Sequence, residues 1–356
     1  MAFRPCSTLL LGLALAPAAL GAQSVVGTVV DATSRQPVTG AMVRLMDGPR
    51  WTGVLFLTGA DGRFRLQAPA SGDYLLSVER IGFADATAGP VAIPEGATVP
   101  FDLEVRAEPI RLEGLDISAG RRCTLRNDAA GATQALWTEV RKALDAARWT
   151  EREGGLEFQA VRRTRTLDEK GLRVESEQSQ VTTLFGANSV RTLPPEDLAE
   201  GGYVREVEFF VYYYGPDANV LLSETFLDTH CFRIVDGPED EPHLVGLGFS
   251  PLRQGNPDIT GTLLVHRDTG RLERVEFTYT GLGRRPGAEL AQGAVRFAEL
   301  PDGRWIVQEW SIRAPLLGLE RHLVGSTFRE RVVVTGVQEQ GSEVLSATGP
   351  GVRWVR

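Results

Sequence analysis

The sequence predicts a mainly β protein: an N-terminal β-sandwich, then a C-terminal antiparallel β-sheet domain, half-barrel-like, with one covering helix. Three observations predict it. Short apolar runs alternate at period two through most of the chain, which is how strands with one buried face read. Glycine (39) and proline (20) are plentiful while methionine (3) is scarce, a balance that suits many strands joined by turns. A one-sided helical stripe occurs convincingly in one place, residues 131–148. A length of 356 residues suggests about two domains. With 42% apolar and 24% charged residues the composition is globular. A net charge of -8 repels phosphate backbones, so nucleic acid is not an expected partner.

Residues 1–22 begin with Arg4 as the positive start, run through apolar Leu9 to Leu15 and end in small residues. This is the pattern of a secretory signal peptide. Its apolar core is shorter than the roughly 20 residues that a membrane span needs. Export with cleavage is therefore expected, with no transmembrane segment after signal removal. Cys6 leaves with the signal, and Cys123 and Cys231 remain. They are the disulfide candidates, with two independent thiols as the alternative, because spacing alone does not place two sulfurs within bonding distance.

The expected organisation is a signal peptide over 1–22, a sandwich over 23–106 and a linker over 107–130. A helix plus antiparallel β domain over 131–345 and a C-terminal tail over 346–356 complete it. In the sandwich, Val25 to Val30, Ala41 to Leu45, Trp51 to Leu57, Phe64 to Leu66, Tyr74 to Val78 and Val99 to Val105 read as strands. Asp61-Gly62 between two such runs is a hairpin signal. Strands at near-regular spacing without a helical period argue for a sandwich.

Five blocks in this region follow one another in order: Val26-Gly27-Thr28-Val29-Val30-Asp31, Pro37-Val38-Thr39-Gly40-Ala41-Met42-Val43, Thr58-Gly59-Ala60-Asp61-Gly62-Arg63-Phe64, Gly72-Asp73-Tyr74 and Arg80-Ile81-Gly82-Phe83. Together they resemble the carboxypeptidase regulatory-like domain, a transthyretin-like sandwich with a carbohydrate-binding-like fold. The resemblance covers about residues 24–106. It implies a fold and not an activity, since such modules ride beside catalytic or transport domains. The stretch Pro109 to Ile117 resembles the linker that follows this module in TonB-dependent outer-membrane receptors. The rest of the chain is too short for a plug and a 22-stranded barrel.

In the helix, Leu136, Val140, Ala143, Leu144 and Ala147 recur at three and four. The expected role is a core helix lying on the following sheet, its polar face carrying Glu139, Arg141, Lys142, Asp145 and Arg148. The sheet is expected as hairpins across Asp168 to Gly171, Asp268 to Gly270 and Pro301 to Gly303, with further runs at Val204 to Tyr214 and Phe226 to Val235. The segment Gly261 to Leu272 resembles strands of periplasmic lipoprotein-carrier-like sheets, which implies a shape and transfers no functional residue.

No zinc-protease helix motif, nucleophile elbow, phosphate loop or dinucleotide glycine pattern occurs. Catalytic, metal and cofactor residues are accordingly expected to be none. Asp228-Thr229-His230-Cys231 places an imidazole beside a thiol, but strand neighbours point to opposite faces and would not meet. Pro238 to His243 is acidic without the ligand spacing of a calcium loop. Tyr212, Tyr214, Trp305 and Trp310 are the candidate ligand-facing aromatics. Tyr213 must face opposite to Tyr212 and Tyr214, so one set belongs to the core.

The expected function is a non-enzymatic, exported binding or scaffolding protein of the bacterial envelope. It is expected to be periplasmic or secreted, with association to the outer membrane as a further option, to possess no cofactor, and to bind an envelope protein or a polymeric or apolar ligand, carbohydrate among the polymers. The alternative is a periplasmic lipid or lipoprotein carrier, which requires an apolar concavity under helix 131–148. A peptide or glycan hydrolase ranks last.

Overall fold

The computed structural model describes residues 23–108, 131–208, 210–253, 255–324 and 327–356. Residues 1–22, where a signal peptide is expected, most of the expected linker over 107–130, and Cys123 lie outside them. Eight strands form the first region: β1 (Ser24–Asp31), β2 (Met42–Asp47), β3 (Arg50–Leu57), β4 (Arg63–Gln67), β5 (Gly72–Glu79), β6 (Ala86–Ile93), β7 (Thr98–Pro100) and β8 (Leu103–Val105). One sheet runs β4-β1-β7, with β8 also on β1, and the other runs β3-β2-β5-β6. The inward alternation of Phe64 and Leu66 on β4, and of Tyr74, Leu76 and Val78 on β5, fills the space between them.

Asp61-Gly62 does not close a hairpin. β3 and β4 belong to different sheets, and the turn carries the chain across the sandwich. Gly62 adopts φ +68°, and its carbonyl accepts from Val29 N at 2.9 Å, which ties the turn to β1. The local chemistry of a tight turn was legible. Which strand it serves depends on β1, some 30 residues upstream, and that is not a local property.

The second region opens with α1 (Gly131–Glu153) and continues through β9 (Glu157–Leu167), β10 (Val174–Phe185), α2 (Pro195–Gly201), β11 (Val204–Val207) and β12 (Phe210–Tyr213). Then come α3 (Ala218–Leu222), α4 (Glu224–Thr229), β13 (His230–Asp236), β14 (Leu244–Pro251), β15 (Asp258–His266), β16 (Leu272–Thr280) and β17 (Gln292–Glu299). β18 (Trp305–Val324), β19 (Thr327–Gly349) and β20 (Val352–Val355) end the chain. The sheet runs β10-β9-β19-β18-β17-β16-β15-β14-β13 and stays open at both edges, with β20 added on β19. The expected hairpins β9–β10, β15–β16 and β17–β18 are all present.

Three expectations for this region change. Val204 to Tyr214 is not one strand: Glu208 turns with φ +55°, and β11 folds back on β12. Phe226 is helical, because Ser223 Oγ accepts from Phe226 N at 3.0 Å and caps α4. Residues 346–356 are sheet rather than tail, since Ser346 to Gly349 pair with Val352 to Val355.

The face of the sheet under α1 holds the main core. Leu136, Val140 and Leu144 of α1 pack with Phe232, Leu247, Leu263, Val275 and Trp305. Two phenyl rings lie over glycines of neighbouring strands. A Cβ on Gly261 would stand 2.6 Å from Phe249 Cζ, and one on Gly293 would stand 2.3 Å from Phe277 Cζ. Those glycines let large rings lie flat across the strands. Beyond β9, the β18–β19 pair continues as a two-stranded ribbon. Leu317, Leu319, Leu323 and Phe328 are exposed there, in register on one face.

Candidate functional site

The first region and α1 meet, and the side of α1 that reads as solvent-facing is buried in that contact. Lys142, only 2% exposed, donates from Nζ to Glu139 Oε1 at 2.7 Å and to the carbonyls of Phe83 at 2.9 Å and Arg80 at 3.2 Å. Asp85 Oδ1 lies 2.9 Å away. Glu139 Oε2 accepts from Gly82 N at 2.7 Å. One turn further, Arg44 bridges Glu79 at 2.5 Å and Asp145 at 3.1 Å, and Arg141 reaches the same two carboxylates. Burial pushes the Glu79 carboxyl up, but Arg44 and Arg141 outweigh it and hold the group below the usual carboxylate range. These charges fix the angle between the regions and form one wall of a cleft.

The cleft has a volume of about 790 Å³ and runs between β2–β3 and the last turns of α1. Trp51, Phe56 and Trp149 supply its aromatic surface, and Arg148, Arg152 and Glu153 its charged rim. Trp51 is 48% exposed, while its Nε1–H donates to Val54 O at 3.2 Å and so fixes the ring. Phe56 and Trp149 face each other across the junction at 6.5 Å between centroids. An exposed, oriented indole over a half-apolar cleft between two regions is an arrangement that binds flat apolar faces while charged groups meet polar edges.

A second depression of about 670 Å³ lies on the sheet face opposite α1. Arg233, Thr260, Thr262, Glu276, Gln292 and Arg313 line it with small polar neighbours. A third feature is a cluster at strand ends: His243, His266 and Glu273 each bring a donor atom within 4.8 Å of the other two.

The sequence-derived aromatics divide. Trp305 is 1% exposed and packs in the core, and it borders a small cleft beside His266 and Glu273. Its β18 position points toward α1, and Arg271 lies over its ring at 5.7 Å. Trp310 and Tyr214 are half-buried against the same core, and Tyr214 O accepts from Tyr279 Oη at 3.0 Å. Tyr212 is exposed and touches Phe210, while Tyr213 is core, as strand alternation requires. None of the four lines the aromatic cleft. Trp51 and Trp149 do, and neither was singled out as a ligand residue. Their signal was a tryptophan at the start of a strand and another just past the helical stripe, and only the docking of the two regions brings them together.

His230 is buried against Phe226, with ring centroids 3.9 Å apart. Its Nδ1 lies 3.1 Å from Phe226 O, and its Nε2 lies 3.2 Å from Asp258 Oδ1 without hydrogen-bond alignment. It is a core side chain at the start of β13. Cys231 is disulfide-bonded, so it is no free nucleophile. Asp228 sits on α4 and not on the strand with His230.

No curated protein matches this chain. Among solved structures, a chain of a type II cohesin–X-dockerin complex from Acetivibrio cellulolyticus is 17% identical, with a TM-score of 0.20. That match covers 24% of this chain, and this chain spans 58% of that one. A DUF3823 family protein from Bacteroides uniformis is 12% identical over 65% of this chain and 90% of its own, with a TM-score of 0.21. A 9R-lipoxygenase from Cyanothece is 11% identical over 88% of this chain and 42% of its own, with a TM-score of 0.19. Residues 24–106 match the family model of the carboxypeptidase regulatory-like domain, the family their five ordered blocks resemble.

Proposed function

We propose that this protein is a non-enzymatic binding protein of the bacterial envelope and that the cleft between its two regions takes an oligosaccharide. The observation that carries the reading is Trp51, fixed by its own hydrogen bond yet half-exposed over a 790 Å³ cleft that Phe56 and Trp149 also line. A sugar ring offers a flat C–H face for an indole and hydroxyls for Arg148, Arg152 and Glu153 on the rim. The pattern of residues 1–22 and the disulfide at Cys231 both support action in an oxidising, exported compartment. Its partners in that setting would be envelope glycans or the proteins that carry them. Among the described residues no helix is long and apolar enough to cross a membrane.

The carrier alternative loses its main support. Leu136, Trp137, Val140 and Leu144 occupy the sheet face under α1, where a lipid chain would have to lie.

The test is a tryptophan-fluorescence titration of the mature protein with neutral and acidic oligosaccharides, including fragments of bacterial cell-wall glycan. Saturable quenching is expected, with Trp51→Ala weakening it at least tenfold and leaving the melting temperature within a degree or two. Absence of saturable binding to any glycan, or equal binding by Trp51→Ala, would overturn the reading.

A further inference from the structure

We propose that His243, His266 and Glu273 form a binding site for a divalent transition-metal cation of the zinc class. The site is separate from the aromatic cleft, and the inference stands or falls independently of the function proposed for that cleft.

Strand pairing assembles the three residues from separate stretches of chain. His243 immediately precedes β14, and the β14–β15 register sets Leu244 opposite His266. The turn after His266 closes with Gly270 N donating to His266 O at 2.9 Å. It returns the chain as β16, and Glu273 comes to lie beside His266. The donor atoms of all three fall within 4.8 Å of one another. His266 Nε2 and Glu273 Oε2 are 3.1 Å apart. Two ligands about 2.0–2.1 Å from one tetrahedral ion stand roughly 3.3 Å from each other. This pair is therefore already spaced to share a cation. His243 is exposed, and its ring centroid lies 5.0 Å from that of His266. One ring nitrogen of His243 already lies within 4.8 Å of both other donors, and the third donor is supplied from a surface side chain that water leaves free to turn.

The carboxylate is oriented from behind. Arg274 Nη1 donates to Glu273 Oε1 at 3.0 Å, and Arg296 Nη1 donates to the same oxygen at 2.8 Å. Both arginines hold Oε1, which leaves Oε2 on the histidine side. Hydrogen bonds that fix a ligating side chain in this way are a regular part of metal sites. The donor set selects the ion class. Two imidazoles and one carboxylate suit zinc and its neighbours, while calcium wants six to eight oxygens. Three protein ligands leave a fourth position open. A cleft of about 260 Å³, lined by His266 and Glu273 with Arg271, Glu299 and Trp305, gives room beside it for water or a small anionic ligand.

The experiment uses the tag-free full chain, stripped of metal and titrated with Zn²⁺ alone by calorimetry. Visible absorption of added Co²⁺ is the second readout. One equivalent is expected to bind. His266→Ala and Glu273→Gln should each weaken binding by more than the roughly 10–100-fold that losing an outer hydrogen-bonding partner costs, and abolish the tetrahedral Co²⁺ bands. His322→Ala, on the exposed ribbon, should change neither. Thermal melts of the metal-free variants show whether each remains folded. The proposal is overturned if Zn²⁺ does not saturate, if His266→Ala and Glu273→Gln bind as the parent does, or if His322→Ala loses binding equally. In any of those cases His266 and Glu273 are a simple hydrogen-bonded pair.

Discussion

Helix α1 has two buried sides, and they are built from opposite materials. Toward the ten-stranded sheet it presents Leu136, Val140, Ala143, Leu144 and Ala147, all essentially without solvent contact. Toward the sandwich it presents Glu139, Lys142 and Asp145, which are also buried. The apolar side needs only matching shape and volume. The ionic side needs a named partner for each charge, because a charge left unpaired out of water is strongly destabilising. The partners are there: Asp85, the carbonyls of Arg80 and Phe83, the amide of Gly82, and the Arg44–Glu79 pair. The oily side holds the helix on its sheet, while the ionic side sets one orientation of the sandwich against it.

The sharpest way to break this comparison is Lys142→Ala. Removing one partner of a buried pair leaves Glu139 charged and enclosed, and the cost should be about 3–5 kcal/mol. Leu144→Ala on the other side should cost a similar amount, about 2–5 kcal/mol, through the cavity it leaves. The two differ in how they are rescued. Lys142→Met combined with Glu139→Gln removes both charges and keeps an acceptor for Gly82 N, so it should recover most of the loss. Urea denaturation of the three variants measures this. A Lys142→Ala cost below about 1 kcal/mol would mean that water reaches the ionic side.

That side also marks where the sequence stops being readable. The apolar stripe predicted the helix and its sheet contact, since both follow from a local period of 3.6. The hairpins β15–β16 and β17–β18 followed from Asp-Thr-Gly and Pro-Asp-Gly turns, again local. Glu139, Lys142 and Asp145 read as a solvated face because charges are exposed by default. Their partners sit 57 to 101 residues upstream, and no local pattern links them. The same holds for the site residues. Trp51 meets Trp149 only through docking of the regions, and His243 meets Glu273 only through the register of three strands. The turn at Asp61-Gly62 shows the limit from the other direction. Its turn chemistry was correct, but its role as a crossover between sheets depends on β1.

Glu151, near the C-terminal end of α1, sharpens the contrast by being half-buried without a compensating cation among the described residues. Burial first, and then the charge of Asp217, push its carboxyl up from 4.5 to about 7. The folded chain thus holds a proton that the unfolded chain has already released between those two pH values. Stability is accordingly unpenalised below pH 4.5 and falls as pH rises toward 7. Above that the penalty levels off at about 3 kcal/mol. Glu151→Gln should therefore stabilise the protein at pH 8 and leave it unchanged at pH 4. Denaturation curves across that range decide it, and a variant equally stabilised at both pH values would show that the effect is packing.

The smallest effect is expected at the rim of the same ionic side. Arg148 Nη2 donates to Asp145 Oδ1 at 2.6 Å, yet its side chain is 36% exposed. Six residues earlier, Lys142 faces a carboxylate at nearly the same distance, so distance alone would rank the two equally. Solvent separates them. Arg148→Ala leaves Asp145 with Arg44 and Arg141, both at 3.1 Å, so no buried charge is stranded. The cost should stay within about 0–1 kcal/mol and shrink further at high salt. Denaturation at low and high ionic strength measures it. A loss above about 2 kcal/mol, insensitive to salt, would mean that the rim is as dry as the centre and that the aromatic cleft beside Arg148 is closed to water before any ligand arrives.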